Sequence, residues 1–181
     1  MKKKPITVAV SGAFDPIHVG HVRYIQEAAK LGDRLVVILN SDDFLLRQKG
    51  FVFMPFADRK EILESIKGVD EVIASVDKDQ TVRKTLELVK PNIFAKGGDR
   101  TGPENIPEAG TCHKIGCKLV TGVGGGRIRS SVQISRKVRD LGMEDSSTLR
   151  ITCHYCDDHP ILREKCRYCK GTGKIAVGKS D

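Results

Sequence analysis

His18 and His21 stand three positions apart, between a short apolar run and a longer amphipathic one, in the stretch VAVSGAFDPIHVGHVRYIQEAAKLGD. Val8 and Val10 are β-branched and read as a buried strand. Ser11, Gly12 and Ala13 are small, so the backbone can turn sharply there and approach a ligand. Ile17, Val22, Ile25, Ala28, Ala29 and Leu31 give the next segment one apolar side, and Gly32 marks its end as a helix. On that helix a spacing of three puts both imidazoles on one face of the first turn. Unpaired N–H groups and the positive end of the macrodipole make this end favourable for phosphate. Imidazoles there can donate hydrogen bonds to an anion, more strongly when protonated. The same pair could be two satisfied core histidines or half of a metal site. Two in register at a strand–turn–helix junction favour the anion. Gly20, between them, leaves room for a bulky group.

Further elements must bring other groups to the same place. Residues 34–40 (RLVVILN) read as a second buried strand, and Ser41 as the N-cap of a short helix over 42–48. Pro55 precedes a helix over 57–67. Val72, Ile73 and Val76 make a third strand. A helix over 81–90 turns Val82, Leu86 and Val89 inward and breaks at Pro91. A fourth strand over 92–95 delivers Lys96-Gly97-Gly98-Asp99 to the carboxyl edge, where open α/β sheets bind ligands. The glycines expose backbone N–H and C=O groups able to read the edge of a base. A helix from Pro107 or Glu108 to about Ile115 carries Cys112, with Cys117 just beyond, both read as ordinary semi-buried thiols. The fifth strand, 118–123, runs into Gly124-Gly125-Gly126. Arg127-Ile128-Arg129-Ser130-Ser131 then leads to a helix over 132–141, a second hydroxyl-bearing helix start suited to phosphate.

Gly12-Ala13-Phe14-Asp15-Pro16-Ile17-His18-Val19-Gly20-His21 resembles the HxGH signature of the nucleotidyltransferase superfamily. The surrounding sequence is most similar to its cytidylyltransferase-like branch, which includes the glycerol-3-phosphate and ethanolamine-phosphate cytidylyltransferases and the nucleotidyltransferase domain of ADP-heptose synthase. The likeness runs from about Ile6 to Val138. Asp58-Arg59-Lys60-Glu61, Val69-Asp70-Glu71-Val72 and Lys96-Gly97-Gly98-Asp99 resemble further family stretches. Ser130 and Ser131 match the hydroxyl positions of its ISTSxI signature; Arg129 departs from it, standing where a small residue is usual. The resemblance implies a Rossmann-like α/β fold, a five-stranded parallel sheet with helices on both faces. It implies transfer of CMP or AMP from a nucleoside triphosphate to a phosphorylated small molecule, with release of pyrophosphate. His18 and His21 would hold the developing phosphoryl charge, and residues 12–14 would pack on the nucleotide. Lys49 matches a family lysine placed near substrate phosphates. Arg127 precedes the motif where relatives carry a phosphate-binding arginine. Magnesium would accompany the triphosphate, held mostly by phosphates and water, and relatives are commonly homodimers. Arg59 is open to two readings, reaching the active site or pairing with an acidic neighbour.

A chain of 181 residues with a formal charge of +8 is one ordinary domain plus an appendage, with an anionic partner expected. Tryptophan is absent and aromatics are few, so the core must be mostly aliphatic. No apolar run approaches membrane-spanning length, and no hydrophobic segment follows Met1-Lys2-Lys3-Lys4, which points to the cytoplasm. The reading is therefore a transferase domain over 1–141, a polar linker over 142–150 and a tail over 151–181. In the tail Cys153, Cys156, Cys166 and Cys169 form CxxC-x9-CxxC, the spacing of a tetrahedral zinc site in a small zinc-ribbon-like fold. The metal would replace a missing core. The rival reading is a nucleotide- or RNA-binding zinc protein with a non-catalytic transferase-like domain. The intact histidine pair and Ser130-Ser131 oppose it.

Overall fold

Side chains of the central strands alternate between two aliphatic layers. On one face Val8, Val10, Leu35, Val37, Leu39, Val72 and Ala95 are buried with Tyr24, Ile25, Ala28 and Leu63. On the other, Ala9, Ile38 and Phe94 are buried with Val82, Leu86, Cys112 and Cys117. Strands apolar on both faces need helices on both, and that covering suits an all-parallel sheet.

The computed structural model describes residues 4–97, 106–125, 131 and 134, and the backbone of 150–152 and 174–176. The elements in chain order are β1 (Thr7–Gly12), α1 (Val19–Ala29), β2 (Arg34–Leu39), α2 (Asp42–Lys49), α3 (Phe56–Glu64), β3 (Glu71–Ala74), α4 (Arg83–Val89), β4 (Ile93–Gly97), α5 (Ala109–Lys114), β5 (Lys118–Val123), β6 (Arg150–Thr152) and β7 (Lys174–Ala176). The five-stranded sheet has the order β3-β2-β1-β4-β5, and each neighbouring pair runs parallel. The expected Rossmann-like α/β architecture is therefore present. The strand order reverses between β1 and β4, and that crevice is where folds of this kind seat ligands. β6 and β7 form a separate antiparallel pair in which Thr152 lies opposite Lys174. Among the described residues no helix is long and apolar enough to cross a membrane.

Several boundaries differ from expectation for local reasons. Ser41 does cap α2, its Oγ accepting from Phe44 N at 3.2 Å. α1 stops at Ala29, three residues before Gly32. That glycine serves close packing instead: a Cβ there would lie 2.7 Å from the Ile6 carbonyl oxygen. β3 ends at Ala74, because Val76 N leaves the ladder to donate to Thr85 Oγ1 at 3.0 Å. Val76 is 52% exposed rather than buried. α4 begins at Arg83, where the Asp77 carboxylate accepts from Lys84 N at 2.8 Å and Thr85 N at 3.0 Å. Cys112 and Cys117 are fully buried, at 1% and 7% exposure.

Candidate active site at the carboxyl edge of the sheet

The strand–turn–helix start holds the two histidines in direct contact. His18 is the N-cap of α1, in extended conformation, and its carbonyl accepts from His21 N at 2.8 Å. The imidazoles stack with centroids 3.7 Å apart and planes 18° apart. Phe14 meets the His21 ring edge-on at 5.0 Å. Burial, and then the neighbouring His18, push the His21 imidazole down to about 3. His21 is thus neutral near pH 7, and its buried Nδ1 has no hydrogen-bond partner among the described residues.

The glycines of this turn make room for the turn's own rings. A Cβ on Gly20 would lie 3.0 Å from the His18 imidazole, and one on Gly12 would lie 3.1 Å from the Phe14 ring. The bulky group for which Gly20 leaves room is thus, in this structure, the His18 ring. Phe14, with φ of 50°, is buried against the core. Ala13 is half-buried and packs against Phe44, Leu45 and Val52.

Two ion pairs fasten the loops on the β2 side of the crevice. Asp15, which follows Phe14 in the turn, is 2% exposed. Its carboxylate accepts from Phe53 N at 2.9 Å and Met54 N at 2.6 Å. The Lys49 ammonium lies 2.6 Å from Asp15 Oδ2, donates to the Asp15 carbonyl at 2.9 Å, and sits 4.6 Å over the Phe51 ring. Lys49, which matches a family lysine placed near substrate phosphates, is seated here against the turn of the histidine motif. Arg59 is fully buried. It donates to the carbonyls of Met54, Ala13 and Asn40 at 2.9, 2.5 and 2.9 Å and pairs with Asp42. Of its two readings, the structure takes the acidic neighbour. The guanidinium fork also ties three loops together.

Across the crevice, Lys96 Nζ donates to Ser11 Oγ at 3.1 Å and lies 3.5 Å from Glu108 Oε2. Gly97 is where Tyr24 fits: a Cβ there would fall 2.7 Å from the phenol ring. Gly124, at φ of 86°, lets the β5 end pass the Tyr24 backbone, where a Cβ would approach Cα within 2.7 Å. The Tyr24 hydroxyl donates to the Ala95 carbonyl at 2.7 Å. Ser131 Oγ donates to the Pro16 carbonyl at 3.1 Å, which ties Ser131 to the histidine turn.

His18, His21, Lys49, Gly12, Ala13, Phe14, Lys96, Gly97 and Ser131 thus come from separate segments to one end of the sheet. Gly98, Asp99, Arg127, Arg129 and Ser130 lie outside the described residues, as do Cys153, Cys156, Cys166 and Cys169. Asp15, Tyr24 and Glu108 were not singled out from sequence. Asp15 and Glu108 carried one signal, an acidic residue set among apolar or turn residues.

The described residues build no side-chain cage for magnesium: no group of three or more His, Cys, Asp or Glu residues among them could hold a metal. Asp15 and Asp42, carboxylates at this edge, are engaged by N–H groups and cations.

The histidine pair thus stands at the switch point of a doubly wound α/β domain, where folds of this class seat ligands. Residues 9–148 match the cytidylyltransferase-like family model, and the chain belongs to that family. It is 40% identical over 120 residues to the bifunctional protein HldE of Hahella chejuensis, covering 65% of this chain and 23% of that protein. It is 41% identical over 93 residues to the FAD synthase of Ferroglobus placidus, covering 51% of this chain and 59% of that protein. The chain spans about a quarter of the length of the HldE proteins that it matches. A solved structure described as the lipopolysaccharide core biosynthesis protein from Thermoplasma volcanium superposes with a TM-score of 0.55 at 30% identity. It covers 65% of this chain and 96% of its own.

Proposed function

We propose that this protein is a nucleotidyltransferase that moves CMP or AMP from a nucleoside triphosphate to a phosphorylated small molecule. A sugar phosphate, glycerol-3-phosphate or phosphoethanolamine would serve as acceptor. The observation that carries the reading is the stacked His18–His21 pair at the start of α1, in a chain of the cytidylyltransferase-like family. An acceptor phosphate oxygen attacks the α-phosphorus; the new P–O bond forms as the bond to the β-phosphate oxygen breaks, and pyrophosphate leaves with the electron pair. The acceptor phosphate is already ionised, so no general base is needed, and the protein contributes position and charge. His18 and His21 donate to the phosphoryl oxygens as charge builds. Lys96, Gly97, Gly98 and Asp99 border the nucleotide. Arg127, Arg129, Ser130 and Ser131 grip the β- and γ-phosphates. Lys49 exchanges its Asp15 contact for the acceptor phosphate. Magnesium would ride on the triphosphate oxygens and water, where it would neutralise phosphate charge.

The four tail cysteines are proposed to hold one structural zinc ion. Supporting this, the β6–β7 ladder sets Thr152 opposite Lys174, so the chain closes on itself just outside both CxxC pairs. The test of the enzyme reading is pyrophosphate release from CTP and from ATP against that acceptor panel. Release that needs both substrates is expected; nucleotide binding with no release under any pairing would leave only the non-catalytic reading.

A further inference from the structure

Glu108 is buried to 3% exposure at the start of α5, on the far wall of the crevice from Lys49. Its Oε1 accepts from Val82 N, the N-cap residue of α4, at 3.2 Å. Its Oε2 is buried with no hydrogen-bond partner among the described residues. What faces that oxygen is the Lys96 ammonium at 3.5 Å, with side-chain exposures of 14% for Lys96 and 4% for Glu108. A buried carboxylate with one satisfied oxygen and one aimed at a cation is not a helix cap alone. An α4 cap needs only Oε1, whereas an unpaired buried charge is costly.

The ammonium stands at the switch point. It reaches Ser11 Oγ at 3.1 Å, one residue before the glycine turn of β1, and lies 4.8 Å over the Phe94 ring. The contact with Glu108 is longer than a direct charge-assisted hydrogen bond, about 2.8 Å. Glu108 and Ser11 together therefore fix where the ammonium stands at the crevice.

We infer that Glu108 is a positioning residue that holds the Lys96 ammonium at the β1–β4 crevice for the phosphates of the nucleotide. This rests on the nucleotidyltransferase reading of the same site. Lys96 touches the nucleotide, and Glu108 acts through it. Glu108 also links that contact to α4, through Val82 N, and to α5, at whose N-terminus it stands. Because the ammonium contacts the nucleotide in ground and transition states alike, its loss falls on KM more than on kcat.

The test uses the full chain. Glu108→Gln keeps an oxygen for Val82 N and removes only the charge. It should raise KM for the nucleoside triphosphate about tenfold, as expected for one charge-assisted contact, with kcat within about threefold. Lys96→Met should raise KM at least as much. The Lys96→Met/Glu108→Gln double variant should be no worse than Lys96→Met alone. An unchanged KM in Glu108→Gln, or a double variant whose losses multiply, overturns the proposal. If Glu108→Gln does not fold by circular dichroism, Glu108→Asp carries the test: it retracts the charge by one methylene and should raise KM, and an unchanged KM overturns the proposal. If the unmodified chain releases no pyrophosphate, the enzyme reading fails. The Glu108 proposal is then decided by calorimetric CTP and ATP affinities in the same variants.

Discussion

The two walls of the crevice are built on different terms. On the β2 side Asp15 and Arg59 have their polar atoms engaged by loops and by Lys49 and Asp42. On the β4 side Lys96 and Glu108 sit at a looser 3.5 Å. The first wall is mostly scaffold: Asp15 and Arg59 are each matched by several rigid partners, and Lys49 is the one charge there proposed to leave for a ligand. The second wall holds a single carboxylate oxygen against the Lys96 ammonium.

Breaking the scaffold should cost the most. Arg59→Met leaves three carbonyls and Asp42 Oδ1 without their donor, with Asp42 Oδ2 kept by Phe56 N, and should lower the unfolding free energy by about 3–5 kcal/mol. Urea denaturation measures it, and a loss under about 1 kcal/mol would show that the guanidinium is no brace. Next in size are the histidines. His18→Ala and His21→Ala should each lower kcat about 10²-fold or more, as removal of an oxyanion donor does, with the fold retained. An unchanged rate in either variant would sink the catalytic assignment.

A smaller effect separates the walls by pH. His21 titrates near 3 in the folded chain against an ordinary 6.5, so below 6.5 the unfolded chain binds more protons. The stability that His21 contributes is complete above about pH 6.5 and is lost as pH falls toward 3. His21→Asn should flatten that acid limb in thermal melts. The smallest effect concerns the tail. Cys166→Ser should remove one zinc per chain and leave pyrophosphate release, measured with magnesium in excess, within about twofold. Metal analysis with the same assay decides this, and lost catalysis would add the tail to the site as a third wall.

The sheet was legible in the sequence because its signals are local. The apolar runs at 34–39 and 118–123, the Ser41 cap and the glycine turn after β1 each depend on neighbouring residues. The histidine contact was legible for the same reason, being a matter of spacing on one helix turn. Arg59 was not, because its partners come from residues 13, 40, 42 and 54, and no local pattern says which loops a long side chain will join. Glu108 read only as a helix start, since Lys96 is distant in sequence. Gly12 and Gly20 were legible as places where space is needed, but what fills that space was not: the Phe14 and His18 rings come from the turn itself.

Tyr24 has a consequence of an optical kind. The chain has three tyrosines and no tryptophan; the other two, Tyr155 and Tyr168, flank the tail cysteines. In residues 1–141 Tyr24 is therefore the sole phenol, buried beneath Gly97 and Gly124 with its hydroxyl on the Ala95 carbonyl. Ultraviolet emission from a fragment ending at Leu141 would come almost wholly from this one ring. The crevice thus carries its own chromophore, and a change in the contact between α1 and β4 would register as a change in its quenching, without any attached dye.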